Sequence, residues 1–277
     1  MKIDKQNGNV AFENESHTYW NVNDNKRYIS VTTLIHRYVQ EFDKEFWSAY
    51  KALEKLIPKE SWAVEKKSLL NTKKFNREIL DTYNISELEF NKTQQDILDA
   101  WDAENRKSCD RGTKIHEEIE HSFYDHPKDI SLQKFGLGGK FECKKDYSEL
   151  DLDCGVYPEY LIYRESDDGI LRIAGQVDLI VKQGNEITII DHKTNKKIDQ
   201  KSGFDSTTKS TARMKYPLNN LMDCNFYHYT LQLSTYAWML QKINPQFVIK
   251  DLILNHYDHN GKNTIYHCEY LKDDVER

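Results

Sequence analysis

The chain is poor in the features that mark several functional classes. Its five cysteines, Cys109, Cys143, Cys154, Cys224 and Cys268, are odd in number, scattered, and never spaced as CxxC. Zinc and iron–sulfur sites need closer ligands, so the thiols read as reduced ones in a cytoplasmic protein. No run of about 18 apolar residues occurs, which argues against a membrane-spanning helix. The opening MKIDKQNGNVAFENESH lacks the apolar core of a secretory signal. Internal repeats and low-complexity tracts are missing too. Positive charge is in deficit, with a formal net charge of −6, where a nucleic-acid binder usually advertises a basic surface. The exception is residues 193–215, KTNKKIDQKSGFDSTTKSTARMK, with seven Lys/Arg against two Asp. Ser, Thr and Gly are frequent there, so it reads as a mobile basic loop.

What is present is long enough for one substantial core. The patterns predict a short hairpin around NVNDNK and a helix within 9–35, helices over 43–106, and a helix at about 111–124 with Ile115, Ile119 and Phe123 inward. Residues 125–150 read as irregular. Strands follow at 156–165, 170–182 and 186–193, then a helix over 226–243 ended by Asn244-Pro245, and strands near 247–257 and 264–271. This order is that of an α/β fold on one sheet.

The stretch 174–194, AGQVDLIVKQGNEITIIDHKT, carries the chemistry. Gly184-Asn185 is a two-residue hairpin signal. With that turn Gln183 faces Glu186, and Asp178 lies opposite Asp191. Alternation puts Lys193, Ile180 and Ile189 on the aspartates' face, and Val177, Leu179, Val181 and Ile190 on the other. Like charges opposed on a sheet are destabilising, more so when buried. A lysine offsets part of this; a hard divalent cation such as Mg²⁺ offsets more. Elsewhere, GTKIHEEIE sets His116 and Glu120 four residues apart on one helix face, and LQLSTY does the same for Gln232 and Tyr236.

The ordered set Gly112–His116–Glu120, Gly175–Asp178, Asp191–Lys193 and Gln232–Tyr236 resembles the PD-(D/E)XK nuclease superfamily, and within it the RecB-type exonuclease branch that includes phage recombination nucleases. The resemblance covers about residues 110–257; HTYWN…YISVTTLI also looks like the opening of phage-type members. It implies a restriction-endonuclease-like core, a mixed sheet in α-β-β-β-α-β order flanked by helices, in a single nuclease domain over 1–277: an N-terminal hairpin and helical region (1–106) and a catalytic core (107–277). His116, Asp178, Asp191 and the His192 carbonyl match the family's metal ligands, for Mg²⁺ or Mn²⁺. Lys193 matches the catalytic lysine, and Gln232 and Tyr236 the residues that touch the DNA phosphate. Glu120 and Glu159 are secondary candidates. Relatives with an iron–sulfur cluster have one early and three clustered late cysteines; here only Cys224 and Cys268 lie late and far apart, so no cluster is expected.

The expected activity is metal-dependent hydrolysis of DNA, from a duplex end or along a single strand, in recombination, repair or phage DNA processing. Lys196, Lys197, Lys201, Lys209 and Arg213 would meet the phosphates, and such binding should depend strongly on salt. Expected partners are DNA, and a second copy of the chain or a recombination or repair protein; no membrane is expected, and the location is the cytoplasm, of the host if phage-encoded. The alternatives are a structure-specific or defence endonuclease, a non-catalytic DNA-binding subunit on the same fold, and an RNA-cleaving relative.

Overall fold

The computed structural model describes residues 3–144, 152–205 and 210–277. The chain divides into two compact units, one of residues 1–39, 112–202 and 213–277, the other of residues 40–111 and 203–212.

The first unit opens with β1 (Lys5–Asn7), β2 (Val10–Glu13) and β3 (Thr18–Asn21) in a three-stranded antiparallel sheet. The turn between β2 and β3 spans residues 14–17 and was not expected from the sequence. This register places Phe12 opposite Tyr19, and their rings stack at 4.6 Å, a cross-strand aromatic pair that favours it. NVNDNK makes the turn its residues signal: the Asn21 amide donates to the Lys26 carbonyl and the Tyr28 amide to the Tyr19 carbonyl, each at 2.9 Å, an antiparallel Trp20–Arg27 bridge lies between them, and the chain runs on to β4 (Ile29–Ser30). The next residues coil into α1 (Val31–His36), whose first turn is capped by the Ser30 hydroxyl accepting from the Thr33 amide at 3.0 Å.

The second unit contains α2 (Lys44–Leu56), α3 (Lys59–Thr72) and α4 (Glu78–Thr82), around a core that includes Phe46, Tyr50, Leu53, Leu69, Leu80, Phe90 and Ile97. It takes in the start of α5 (Glu87–Asp125), whose residues from Gly112 onward belong to the first unit. α5 is one continuous helix where two were expected, since 107–111 holds no proline and only Gly112 weakens it. That glycine has a local reason. A Cβ there would lie 3.2 Å from Thr194 Oγ1, just past the strand that carries Asp191.

Beyond α5, residues expected to be irregular form a hairpin of β5 (Ile130–Leu132) and β6 (Leu137–Phe141). Then come the long strands β7 (Gly155–Glu165), β8 (Arg172–Gln183) and β9 (Glu186–Lys193). The short β10 (Phe204–Asp205) and β11 (Ser210–Thr211) pair with each other; α6 (Asn225–Ile243), β12 (Val248–Tyr257), β13 (Asn263–Cys268) and α7 (Lys272–Glu276) complete the chain. The central sheet runs β13-β12-β9-β8-β4, with β7 also on β8. β9 pairs with β12 in parallel and with β8 antiparallel. This is the expected mixed sheet, with α5, β7, β8, β9, α6 and β12 in the α-β-β-β-α-β order.

The β8–β9 register is the one the Gly184-Asn185 turn predicts, from Gln183–Glu186 to Leu179–Ile190. Ladder pairing stops there, so Asp178 and Asp191 lie one step past its last rung. Facing is as expected near the turn: Ile180 and Ile189 pack in the core with Leu231 and Tyr236 of α6, while Leu179, Val181 and Ile190 pack with Phe123 of α5. Val177 departs from expectation and joins the α6-side core. The strand's alternation therefore breaks between Val177 and Ile180. Flanking pairs place Glu159 of β7 opposite that break, in the left-handed region at φ 50°. Such a conformation is strained for a glutamate and typical of functional sites.

Gly175 lies on the same stretch of β8. A Cβ there would fall 2.6 Å from Tyr236 Cε1 and 2.9 Å from its hydroxyl. Gly175→Ala should thus lower stability by about 1–3 kcal/mol through overpacking, measured as a lower urea midpoint. Adding Tyr236→Leu should recover part of the loss, and a Gly175→Ala protein as stable as the parent would contradict this packing.

Candidate active site

Four elements of the first unit converge where the ladder ends. α5 brings His116, β7 brings Glu159, β8 brings Asp178, and the end of β9 brings Asp191, His192 and Lys193. Donor atoms of His116, Glu159 and Asp178 all lie within 4.8 Å of one another. His116 Nδ1 is 3.6 Å from Glu159 Oε1 and 3.5 Å from Asp178 Oδ2, and its Nε2 lies 3.0 Å from the His192 carbonyl oxygen. Of the expected ligands, His116 and Asp178 come together, with the His192 carbonyl beside His116; Asp191 is seated against Lys193 outside the cluster of three, and Glu159, a secondary candidate, is a member of it.

Each group is held from behind. The His192 amide donates to Asp178 Oδ2 at 2.6 Å, and Gln176 Nε2 donates to Glu159 Oε2 at 2.5 Å. Lys193 Nζ sits 2.6 Å from Asp191 Oδ2, 4.6 Å from the Tyr229 ring centroid, and donates to Gln232 Oε1 at 3.3 Å. Gln232 Nε2 in turn reaches Asp191 Oδ1 at 3.4 Å and the Tyr236 hydroxyl at 3.3 Å. Gln232 and Tyr236 are therefore tied to Asp191 and Lys193 as one network. Glu120 lines the same cavity but accepts from Lys5 Nζ at 2.9 Å and Tyr124 at 3.1 Å, outside the cluster of three. The cavity, about 610 Å³, is bounded by α5, β8 and α6 and also by Phe12, His17 and Tyr19 of the N-terminal sheet.

The electrostatics are those of crowded acids. Burial raises the Asp178 carboxyl, and Glu159 raises it further, while His116 and Lys193 pull it down. Burial likewise lifts Asp191, to about 6. Burial disfavours charge on His116, yet Asp178, Glu159 and Asp191 outweigh it and lift the imidazole to about 9. Lys193 is also raised, its own desolvation being outweighed by Asp191 and Asp178. Protonated His116 and Lys193 are thus the cations that keep three carboxylates together. A divalent cation fits this donor set. The ligands are carboxylate oxygens, one imidazole and a carbonyl, the chemistry Mg²⁺ and Mn²⁺ accept. Asp191 Oδ2 meets the Lys193 ammonium but receives no aligned hydrogen bond, leaving it lone-pair capacity.

The basic residues are placed less uniformly. Lys197 pairs with Asp199 at 2.8 Å, and Arg213 donates to the Asn220 carbonyl at 2.7 Å. Lys196 and Lys201 are exposed, and Lys209 lies outside the described residues. Residues not singled out from sequence include Gln176, Tyr229 and Tyr19. The charges of Glu159 and Asp178 reach Tyr19, whose hydroxyl is pushed up first by burial.

A family model for the PD-(D/E)XK nuclease superfamily matches residues 24–273. The chain belongs to this superfamily. Its His–Glu–Asp cluster offers donors of the kind a divalent cation takes. Among solved structures, SSO0001 is similar at 18% identity and TM-score 0.26, over 44% of this chain and 45% of that one. A "Putative exonuclease" from Eubacterium rectale is similar at 12% identity and TM-score 0.31, over 90% of this chain and 76% of that one. The first match thus spans less than half of that protein's length, and at these TM-scores neither likeness carries an argument. Comparison with curated proteins gave no match. No helix among the described residues is long and apolar enough to cross a membrane.

The raised His116 and Asp191 values fix the sign of a pH effect. A group that binds its proton more tightly when folded stabilises the fold below its unfolded value and loses that contribution as pH rises through the folded one. For His116 the window is about 6.5 to 9, and for Asp191 about 3.8 to 6. In EDTA, the urea midpoint should therefore fall as pH rises through the His116 window, and His116→Gln should flatten that fall; in the lower window the Asp191 effect is opposed by His192, which burial lowers to about 3 and which therefore adds stability as pH rises. A midpoint that climbs between about pH 6.5 and 9 would contradict this charge balance.

Proposed function

We propose that this nuclease is a deoxyribonuclease of the RecB-type branch that degrades linear DNA from an end, in recombination, repair or phage DNA processing. The observation that supports it is the junction of His116, Glu159 and Asp178 with the Asp191–Lys193 pair at the end of one hairpin. Chain 1–277 is taken as one working domain with its catalytic core in residues 107–277, acting in the cytoplasm, of the host if phage-encoded.

The proposed roles are as follows. Asp178, Asp191, His116 and the His192 carbonyl would hold Mg²⁺ or Mn²⁺, with Glu159 beside His116 and Asp178. A cation bound there would supply Lewis acidity toward the phosphate and lower the pKa of a bound water. Lys193 stands beside Asp191 and Gln232. It orients the attacking water and stabilises charge as it grows on the phosphoryl oxygens. Gln232 positions Lys193 and Asp191 together, since it bonds to both. Tyr236 anchors Gln232, and its hydroxyl lies at the cavity wall to meet a phosphate oxygen. Lys196 and Lys201, and by sequence Lys209, follow the backbone beyond the scissile bond, with Lys197 and Arg213 available to the same strand.

The test uses end-labelled linear duplex, single strand and closed circle with Mg²⁺ or Mn²⁺. Linear DNA should be degraded and the circle left intact. Lys193→Ala should lose at least about 10²–10³-fold in rate. Cleavage of the circle would replace the exonuclease reading by an endonuclease one, and full activity in Lys193→Ala would overturn the assigned roles.

A further inference from the structure

The N-terminal sheet adds to the wall of the active-site cavity a ring that the acid cluster does not use. His17 lines this cavity together with His116, Glu159 and Asp178. It is exposed, whereas Phe12 and Tyr19 beside it are buried. Its ring centroid lies 5.1 Å from that of Phe12 and 6.1 Å from that of Tyr19, nearly perpendicular to both at 87° and 80°. Phe12 and Tyr19 are themselves only 4.6 Å apart, so both sit on the same side of the imidazole. They brace it from that side and leave the rest of its surface open.

The turn alone does not call for an imidazole. His17 closes the four-residue turn 14–17 in the left-handed region, at φ 49°, a conformation that glycine adopts freely. Hydrogen bonding does not call for one either, since no partner for the ring occurs among the described residues. Partial burial against Phe12 and Tyr19 lowers the ring from its ordinary value. The imidazole is therefore neutral at neutral pH and is no counterion for a phosphate. What a neutral, braced and open ring offers a nucleic acid is its face. Bases splayed out of a helix stack on aromatic side chains, histidine among them.

We infer that His17 stacks on an unpaired nucleobase beside the scissile phosphate, so that the strand being cut is held single-stranded in the cavity. The inference rests on the reading of the chain as a deoxyribonuclease and adds the state of the strand at the site. Tyr19, one ring away from His17, lies within reach of the charges of Glu159 and Asp178. A phosphate at the cluster and a base on His17 thus belong to adjacent parts of one strand. The cavity, about 610 Å³, has room for a nucleotide. Every base has a face to stack, so this contact suits an enzyme that works along a strand whatever its sequence.

Fluorescence anisotropy tests this by binding, with Mg²⁺ and a Lys193→Ala background that slows cutting. The probes are a labelled dT strand and an abasic strand of the same length, which keeps every phosphate. His17→Gly, which suits the turn, should weaken the dT strand by about tenfold. The abasic strand should bind the background protein at least about tenfold more weakly than dT does, and His17→Gly should cost it nothing further. A dT strand bound equally well by His17→Gly, or an equal loss on the abasic strand, would overturn the inference and leave the nuclease reading standing. If no strand is bound and the parent cuts no linear DNA, the nuclease reading falls and this inference with it.

Discussion

Three carboxylates brought together at the end of a buried hairpin are the constraint from which the rest of the first unit follows. Glu159, Asp178 and Asp191 repel one another, and burial withholds the water that would screen them. The fold answers with two cations, His116 from α5 and Lys193 from β9, each held in its charged form by the acids it faces. Backbone and amide donors then fix the oxygens: the His192 amide on Asp178, Gln176 on Glu159, Gln232 on Asp191. An arrangement this expensive, with every member supported, suits a binding site for divalent charge better than a stabilising device, since buried ion pairs are weak stabilisers.

The architecture serves that cluster in specific ways. The β8–β9 ladder ends one pair before the aspartates, which leaves their backbone unpaired with each other. Glu159 adopts a left-handed conformation opposite the break in β8 and so turns its carboxylate toward His116 and Asp178. Gly175 lets Tyr236 come within van der Waals reach of β8, and Gly112 lets α5 approach Thr194. Each glycine of the GxxxH and GxxD patterns thus has a packing reason, on opposite sides of the cluster.

Much of this was legible in the sequence because it depends on local rules. Gly184-Asn185 specified a turn, the turn specified the register, and the register placed Asp178, Asp191 and Lys193 together. The i, i+4 spacings gave His116 and Gln232–Tyr236 their helix faces. Other features depend on tertiary context. The backbone reversal at Glu159 has no signature in VYPEYLIY beyond a lone acid among apolar residues, and it is what carries Val177 to the α6 side. The turn at NVNDNK was legible, but the β2–β3 turn before it was not, because its pairing depends on Phe12 stacking on Tyr19. The continuous α5 and the β5–β6 hairpin were hidden by weak periodicity at 107–111 and in 125–150. The two-sided use of His192, carbonyl toward His116 and ring toward Asn255, emerges only when β12 is laid beside β9 in parallel.

The central claim is that the acids form a cation cradle whose repulsion the metal relieves. Thermal unfolding with and without Mg²⁺ or Mn²⁺, in the parent and in Asp178→Asn, tests it most directly. The account predicts that metal raises the parent's Tm and that Asp178→Asn, relieved of one buried charge, is at least as stable in EDTA yet no longer responds to metal. A parent Tm indifferent to either cation, or a variant that responds as the parent does, would contradict it.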